Sequence, residues 1–204
     1  MLLSFLAIVK IEAERFNCAV VGEDLGLVPD GFRETMRDNG FYGYSVLQYE
    51  KDTQGQFHHP DAISPQVLSC FATHDTPTVR GYESGRDIDW WEKLDWIDAE
   101  KAESMRLDRS NSVDAFRGDD DFQACVHSMI AYSKAALVVV QLDDVLGVVE
   151  AQNLPGTIDQ HPNWRRKYDV DLDNLSSDGR LDATAKLMND AGRSNAEKGQ
   201  IHDD

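Results

Sequence analysis

The sequence predicts an α/β protein built on a parallel sheet. Three observations carry this: apolar runs of strand length that do not alternate with polar residues, helical periodicities between them, and polar side chains gathered where each apolar run ends. A strand buried on both faces reads as a continuous apolar run, and parallel neighbours need a long crossover between them.

Leu2, Leu6, Val9, Ala13 and Phe16 recur at spacings of four, three, four and three, which is one stripe of an amphipathic helix. No capping signal precedes this helix, so the chain is expected to be a piece of something longer. "CAVVG", Cys18 to Gly22, is the first expected strand. Residues 29–40, "PDGFRETMRDNG", read as a helix with Pro29 and Asp30 at its entrance and Asn39 and Gly40 at its exit. "YSVLQYE", Tyr44 to Glu50, is the second strand, and after a polar loop "VLSCFATHD", Val67 to Asp75, is the third. Residues 88–135 lack strand runs and end in the helical "FQACVHSMIAYSKAAL", which leads into a fourth strand, "LVVVQLDDVLG", Leu137 to Gly147. The final stretch is polar, with a short helical pattern around Leu181 to Met188 and an end expected to fray.

The chain's 204 residues suit one domain. With 20 Lys and Arg against 37 Asp and Glu the formal charge is −17, which repels phosphate backbones and anionic lipid, so neither nucleic acid nor membrane is an expected partner. "MLLSFLAIVK" has neither the basic n-region nor the cleavage site of a secretory signal, and no other stretch suits a bilayer. Cys18, Cys70 and Cys125 are odd in number, far apart and set in apolar runs; they are expected to be reduced core thiols of a cytoplasmic protein.

The strand tips carry Glu23 and Asp24, Gln48 and Glu50, His74 and Asp75, and Gln141, Asp143 and Asp144. In parallel α/β folds ligands bind at the carboxyl ends of the strands, so this repeated placement points to one polar cleft. For Asp24, helix capping competes evenly with catalysis. "THDTPT" also reads as a turn satisfying its own backbone donors, and Asp143 and Asp144 read as structural. Two chemistries fit a Glu and a His-Asp pair facing one cleft. Glycoside chemistry needs one carboxyl that donates a proton and one that attacks or activates water. A metal hydrolase would need further histidines, but His58, His59, His127, His161 and His202 are scattered.

Four blocks, "VVGEDLGLVPDGFRETM", "VLSCFATHDTPTVRGYESGRDID", "LVVVQLDDVLG" and "QNLPGTIDQHPNWRRK", together resemble the C-terminal part of the 4-α-glucanotransferases (amylomaltases, disproportionating enzymes) of the α-amylase clan. The resemblance runs in order from about Leu2 to about Tyr168. It implies that residues 1–168 are the C-terminal half, strands five to eight, of a TIM (β/α)₈ barrel, with residues 169–204 a polar tail. It further implies retaining transfer of α-1,4-glucan segments between maltooligosaccharides, with no cofactor. Glu23 matches the family's general acid/base and Asp75 its transition-state stabiliser; His74, Asn153 and Pro155 match sugar-binding positions. The family's nucleophile is an Asp in an Arg-x-Asp-His context, and no such motif occurs in the 204 residues. The chain is therefore expected to need the missing N-terminal half of the barrel and to be inactive alone. A non-catalytic glucan-binding or partner module is the alternative, and a His-Asp metal hydrolase a more distant one.

Overall fold

The computed structural model describes residues 2–193; the end expected to fray, residues 194–204, and His202 lie outside the described residues. In chain order, helices α1 (Leu2–Arg15) and α2 (Phe32–Asp38) precede strand β1 (Gly43–Val46), and β2 (Val67–Cys70) follows. Four helices then fill the crossover: α3 (Val79–Ser84), α4 (Arg86–Lys93), α5 (Ala99–Arg117) and α6 (Phe122–Tyr132). Strand β3 (Leu137–Val138) and helices α7 (Leu142–Val145), α8 (Leu172–Leu175) and α9 (Gly179–Asp190) complete the described chain.

The three strands form one parallel sheet in the order β1-β2-β3, with Tyr44 opposite Leu68 and Leu68 opposite Leu137. The α/β class and the parallel pairing are as the sequence implies, but the strands are shorter. The segment expected as the first strand makes a single parallel bridge, Val21 to Tyr42. Cys18 and Ala19 are exposed there, so the run lacks the two-sided burial that a continuous strand requires. The second run leaves the sheet at Val46 for a 3₁₀ turn over Leu47–Tyr49, within which the Gln48 side chain donates to the Pro77 carbonyl at 2.8 Å. The third run ends at Cys70, and the fourth pairs over two residues before Asp143 and Asp144 open the short helix α7.

Helix α1 buries Leu6 and half-buries Val9 and Ala13, against Met36, Phe41, Val20 and Phe32. Of the expected stripe, the Leu2 side chain lies outside the described residues, and Phe16 is exposed because the helix has ended before it. Cys70 is buried and Cys125 half-buried, but Cys18 is exposed just past the end of α1, which corrects the expectation of three core thiols. The main core lies between the sheet and the crossover helices. Phe71, Tyr82 and Phe122 meet there ring to ring, with the Phe71 and Tyr82 centroids 5.5 Å apart, surrounded by Leu47, Ile63, Val79, Val126 and Ile130. Lys51 clips the loop after β1 onto this core, donating to the Tyr82 hydroxyl at 2.6 Å and the Ser112 hydroxyl at 2.9 Å. Burial, with Arg109 nearby, lowers the pKa of this lysine to about 8. Among the described residues no helix is long and apolar enough to cross a membrane.

Two buried groups give the fold opposed pH responses. Burial, reinforced by Asp143, raises the Asp144 carboxyl to about 7 although it accepts a hydrogen bond from the Val79 amide; burial lowers the His127 imidazole to about 4. The folded state holds an extra proton on Asp144 between about pH 4 and 7, so that contribution to stability falls as pH rises through this window. His127 is neutral when folded and charged when unfolded below its ordinary 6.5, so its contribution rises between about pH 4 and 6.5. The two act in opposite directions over the same range, so in the wild type they partly offset each other. Urea unfolding measured from pH 4.5 to 7.5 should show stability climbing with pH in Asp144→Asn and falling with pH in His127→Leu.

Candidate active site

The carboxyl ends of β1 and β2 and the bridge at Val21 open on the same side, and a cleft of about 680 Å³ lies there. Glu23, Asp75 and Pro155, three of the residues expected from the sequence, line it together, with Tyr44, Tyr49 and Thr73. The side chain of Glu23 stays exposed, while its neighbour Asp24 is drawn inward. The Asp24 carboxylate accepts from the Tyr44 amide at 2.9 Å and from Arg33 Nε at 3.2 Å, and Arg33 also donates to the Asp24 carbonyl at 2.7 Å. Gly43 makes room for this, since a Cβ there would meet Asp24 Oδ2 at 3.1 Å. Asp24 therefore does not cap α2, whose N-cap position is Gly31; it ties the first tip to the start of β1.

The third tip is a tight polar turn. Thr76 Oγ1 accepts from the Thr73 amide at 2.9 Å, and the Asp75 amide donates to Thr73 Oγ1 at 3.3 Å, so the turn reading of "THDTPT" holds for its threonines. The same turn leaves the His74 and Asp75 side chains exposed. Asn153 Nδ2 donates to Asp75 Oδ1 at 2.7 Å, and His74 Nε2 lies 3.4 Å from that oxygen. The structure thus gathers Asp75, Asn153 and His74 into one group and sets Glu23 and Pro155 on the wall of the cleft that Asp75 also lines.

Gln48, Asp143 and Asp144 serve the fold instead. Asp143 pairs with Arg166 Nη2 at 2.5 Å and Asp144 accepts from the Val79 amide at 2.7 Å, matching the structural reading of both. Glu50 accepts from the Ser45 hydroxyl at 2.9 Å. Sequence reasoning passed over Tyr49, an exposed ring on the cleft wall whose hydroxyl pKa is raised by burial and by the charges of Asp75 and Asp87. Its only sequence signal is a place between two polar tip residues. Among the described residues no three His, Cys, Asp or Glu side chains come together as a metal shell.

The sequence signature of the 4-alpha-glucanotransferases matches residues 2–173. The chain belongs to that family. The 4-alpha-glucanotransferase of Mycobacterium tuberculosis is 33% identical over 181 residues, covering 79% of this chain and 25% of the relative, and that of Haemophilus influenzae is 27% identical over 183 residues, covering 79% and 26%. The chain thus spans about a quarter of the length of these relatives. Among solved structures, the amylomaltase of Corynebacterium glutamicum superposes with a TM-score of 0.79 at 24% identity, covering 91% of this chain and 30% of that one. The amylomaltase of Streptococcus agalactiae in complex with acarbose gives a TM-score of 0.61 at 16% identity, covering 90% and 34%. The fold of these amylomaltases is the fold of this chain over most of its length.

The two carboxylates of the first tip should separate in a stability measurement. Removing the Asp24 acceptor leaves the Tyr44 amide and Arg33 without their partner, so Asp24→Ala should lose about 1–3 kcal/mol in denaturant unfolding. Glu23→Gln, at an exposed position, should stay within about 0.5 kcal/mol of wild type.

Proposed function

We propose that this chain is the part of a retaining 4-α-glucanotransferase that carries the acid/base and the transition-state stabiliser. The observation that carries the reading is that Glu23 and Asp75, 52 positions apart in sequence, wall one cleft at the carboxyl ends of parallel strands. In this reading Glu23 protonates the leaving glycosidic oxygen and then takes the proton of the acceptor 4-hydroxyl. Asp75, oriented by Asn153 and flanked by His74, grips sugar hydroxyls and stabilises the positive charge of the oxocarbenium-like transition state. Pro155 lines the sugar path, and the substrates are maltooligosaccharides or α-1,4-glucans.

The described sheet has three strands and one further parallel bridge, Val21 to Tyr42, which we assign to the second half of a (β/α)₈ barrel, residues 1–168, followed by a tail over residues 169–204. A retaining mechanism places its nucleophile roughly 5 Å from the acid. We assign that nucleophile to the part of the protein that the longer relatives have and these 204 residues do not, so the chain by itself is inactive. Its three free thiols suit a reducing compartment, and we place the protein in the cytoplasm.

Maltotriose disproportionation, read as glucose release with growth of longer oligomers, tests the assignment. Residues 1–204 alone should show no transfer. A longer protein, in which they follow the upstream segment present in the relatives, should be active and should lose at least about 100-fold in kcat with Glu23→Gln or Asp75→Asn. Activity of the short chain that disappears with Glu23→Gln would place a nucleophile within these residues and overturn the assignment.

A further inference from the structure

Among the described residues, three non-glycine residues have positive φ: Asn17 at 51°, Asp95 at 56° and Trp164 at 60°. Asn and Asp tolerate this conformation, because their short polar side chains bond locally; a bulky indole does not. Such an outlier persists only where the surroundings over-determine it, and it carries a cost that ordinary packing does not explain. Trp164 is moreover 62% exposed, so burial of the ring does not offset that cost.

Its surroundings do over-determine it. The Trp164 amide donates to the Gln152 carbonyl at 2.9 Å, closing residues 152–164 into a compact loop. Asn163 locks the interior: its Oδ1 accepts from the Leu154 amide at 3.0 Å and lies 2.6 Å from His161 Nδ1, and its Nδ2 donates to the Thr157 carbonyl and hydroxyl at 3.1 and 2.8 Å. His161 is itself buried. The far side of the loop rests on Trp96, whose ring comes within 3.2 Å of where a Cβ on Gly156 would lie, and Gly156 has φ of 87°. The loop therefore presents its two ends as fixed points. At one end Asn153 donates to Asp75. At the other the Trp164 ring packs on His74, with centroids 5.3 Å apart and planes inclined by 44°.

We propose that residues 152–164 act as a two-point clamp on the His74-Asp75 tip, and that Trp164 is a positioning residue that holds the His74 imidazole while Asn153 holds the Asp75 carboxylate. The proposal rests on the glucanotransferase reading only for its effect on catalysis. Without the clamp, both exposed side chains would be free to rotate over the cleft. A carboxylate meant to meet developing charge must be set before the reaction, since reorienting it during the reaction adds to the barrier.

The test separates ring from backbone. Trp164→Gly removes the indole but suits the left-handed backbone, and Trp164→Phe keeps an aromatic ring. In NMR spectra of the 204-residue chain, with His74 assigned by loss of its signal in His74→Gln, the His74 Cε1 proton should be displaced by the indole ring current from the position of the exposed His59. That displacement should vanish in Trp164→Gly and persist in part in Trp164→Phe. In the longer protein, Trp164→Gly should lower kcat by about tenfold while KM stays within about twofold, and Trp164→Phe should recover most of the loss. A His74 signal unmoved by Trp164→Gly overturns the clamp, as does a moved signal with unchanged kcat in a protein that Asp75→Asn inactivates. If the longer protein transfers no glucan and Trp164→Gly still releases His74, the functional reading fails and the clamp stands.

Discussion

The site depends on a series of polar contacts that cross between residues 75–90 and residues 143–161, because the sheet beneath is too short to hold it. Strand β3 contributes two residues, so backbone pairing holds the fourth segment only as far as Val139 and leaves the loop that follows to other contacts. The fixing is done by side chains. Asp144 accepts from the Val79 amide, Thr78 Oγ1 donates to the Val148 carbonyl at 2.6 Å, Arg86 and Trp90 Nε1 both reach Glu150, and Asn153 reaches Asp75. The first of these bonds is buried and the last lies at the cleft. From the core to the exposed end, these contacts tie the two segments together along their length.

Burial explains why Asp143 and Asp144 can stand side by side at that base. Two adjacent carboxylates cannot both stay charged in a poorly solvated site without partners. Asp143 has Arg166 as a partner, whereas Asp144 has only the Val79 amide and retains its proton up to about pH 7. The cleft divides its carboxylates in the opposite way: Asp24 is consumed by Tyr44 and Arg33, while Glu23 and Asp75 face solvent. At the first tip, Asp24 holds the chain and its neighbour Glu23 is left exposed on the cleft wall.

That division was only partly legible in the sequence. The apolar runs located the sheet, and the clustering of polar groups at their ends located the cleft, because both follow from local composition. Strand length was not legible: the run from Tyr44 to Glu50 passes into a 3₁₀ turn at Leu47, where Gln48 meets the Pro77 carbonyl, a contact 29 positions away. The fate of Asp24 was hidden for the same reason, since its partner Tyr44 is 20 positions distant and competes with the nearer helix. Glu23 and Asp75 stood out by their place at the ends of apolar runs, and the resemblance of their motifs supplied the roles expected of them. Tyr49 and Trp164 did not, because an aromatic residue in a loop carries no local mark of whether its ring is buried in a core or set against a site.

The net charge of −17 is compatible with such a site if the ligand is neutral. A polyhydroxylated sugar is neither attracted nor repelled by the long-range field of the protein, so its recognition rests on short-range hydrogen bonds and ring contacts. Only the charge that develops at the reacting carbon senses the field, and it is positive in an oxocarbenium-like transition state. An excess of carboxylates around the cleft then favours the transition state over the ground state without tightening the hold on substrate, which is the differential binding that catalysis needs. Under the proposed function, a clamp on His74 and Asp75 would serve the same end, since a carboxylate already set by Asn153 leaves little reorganisation to be done as charge develops.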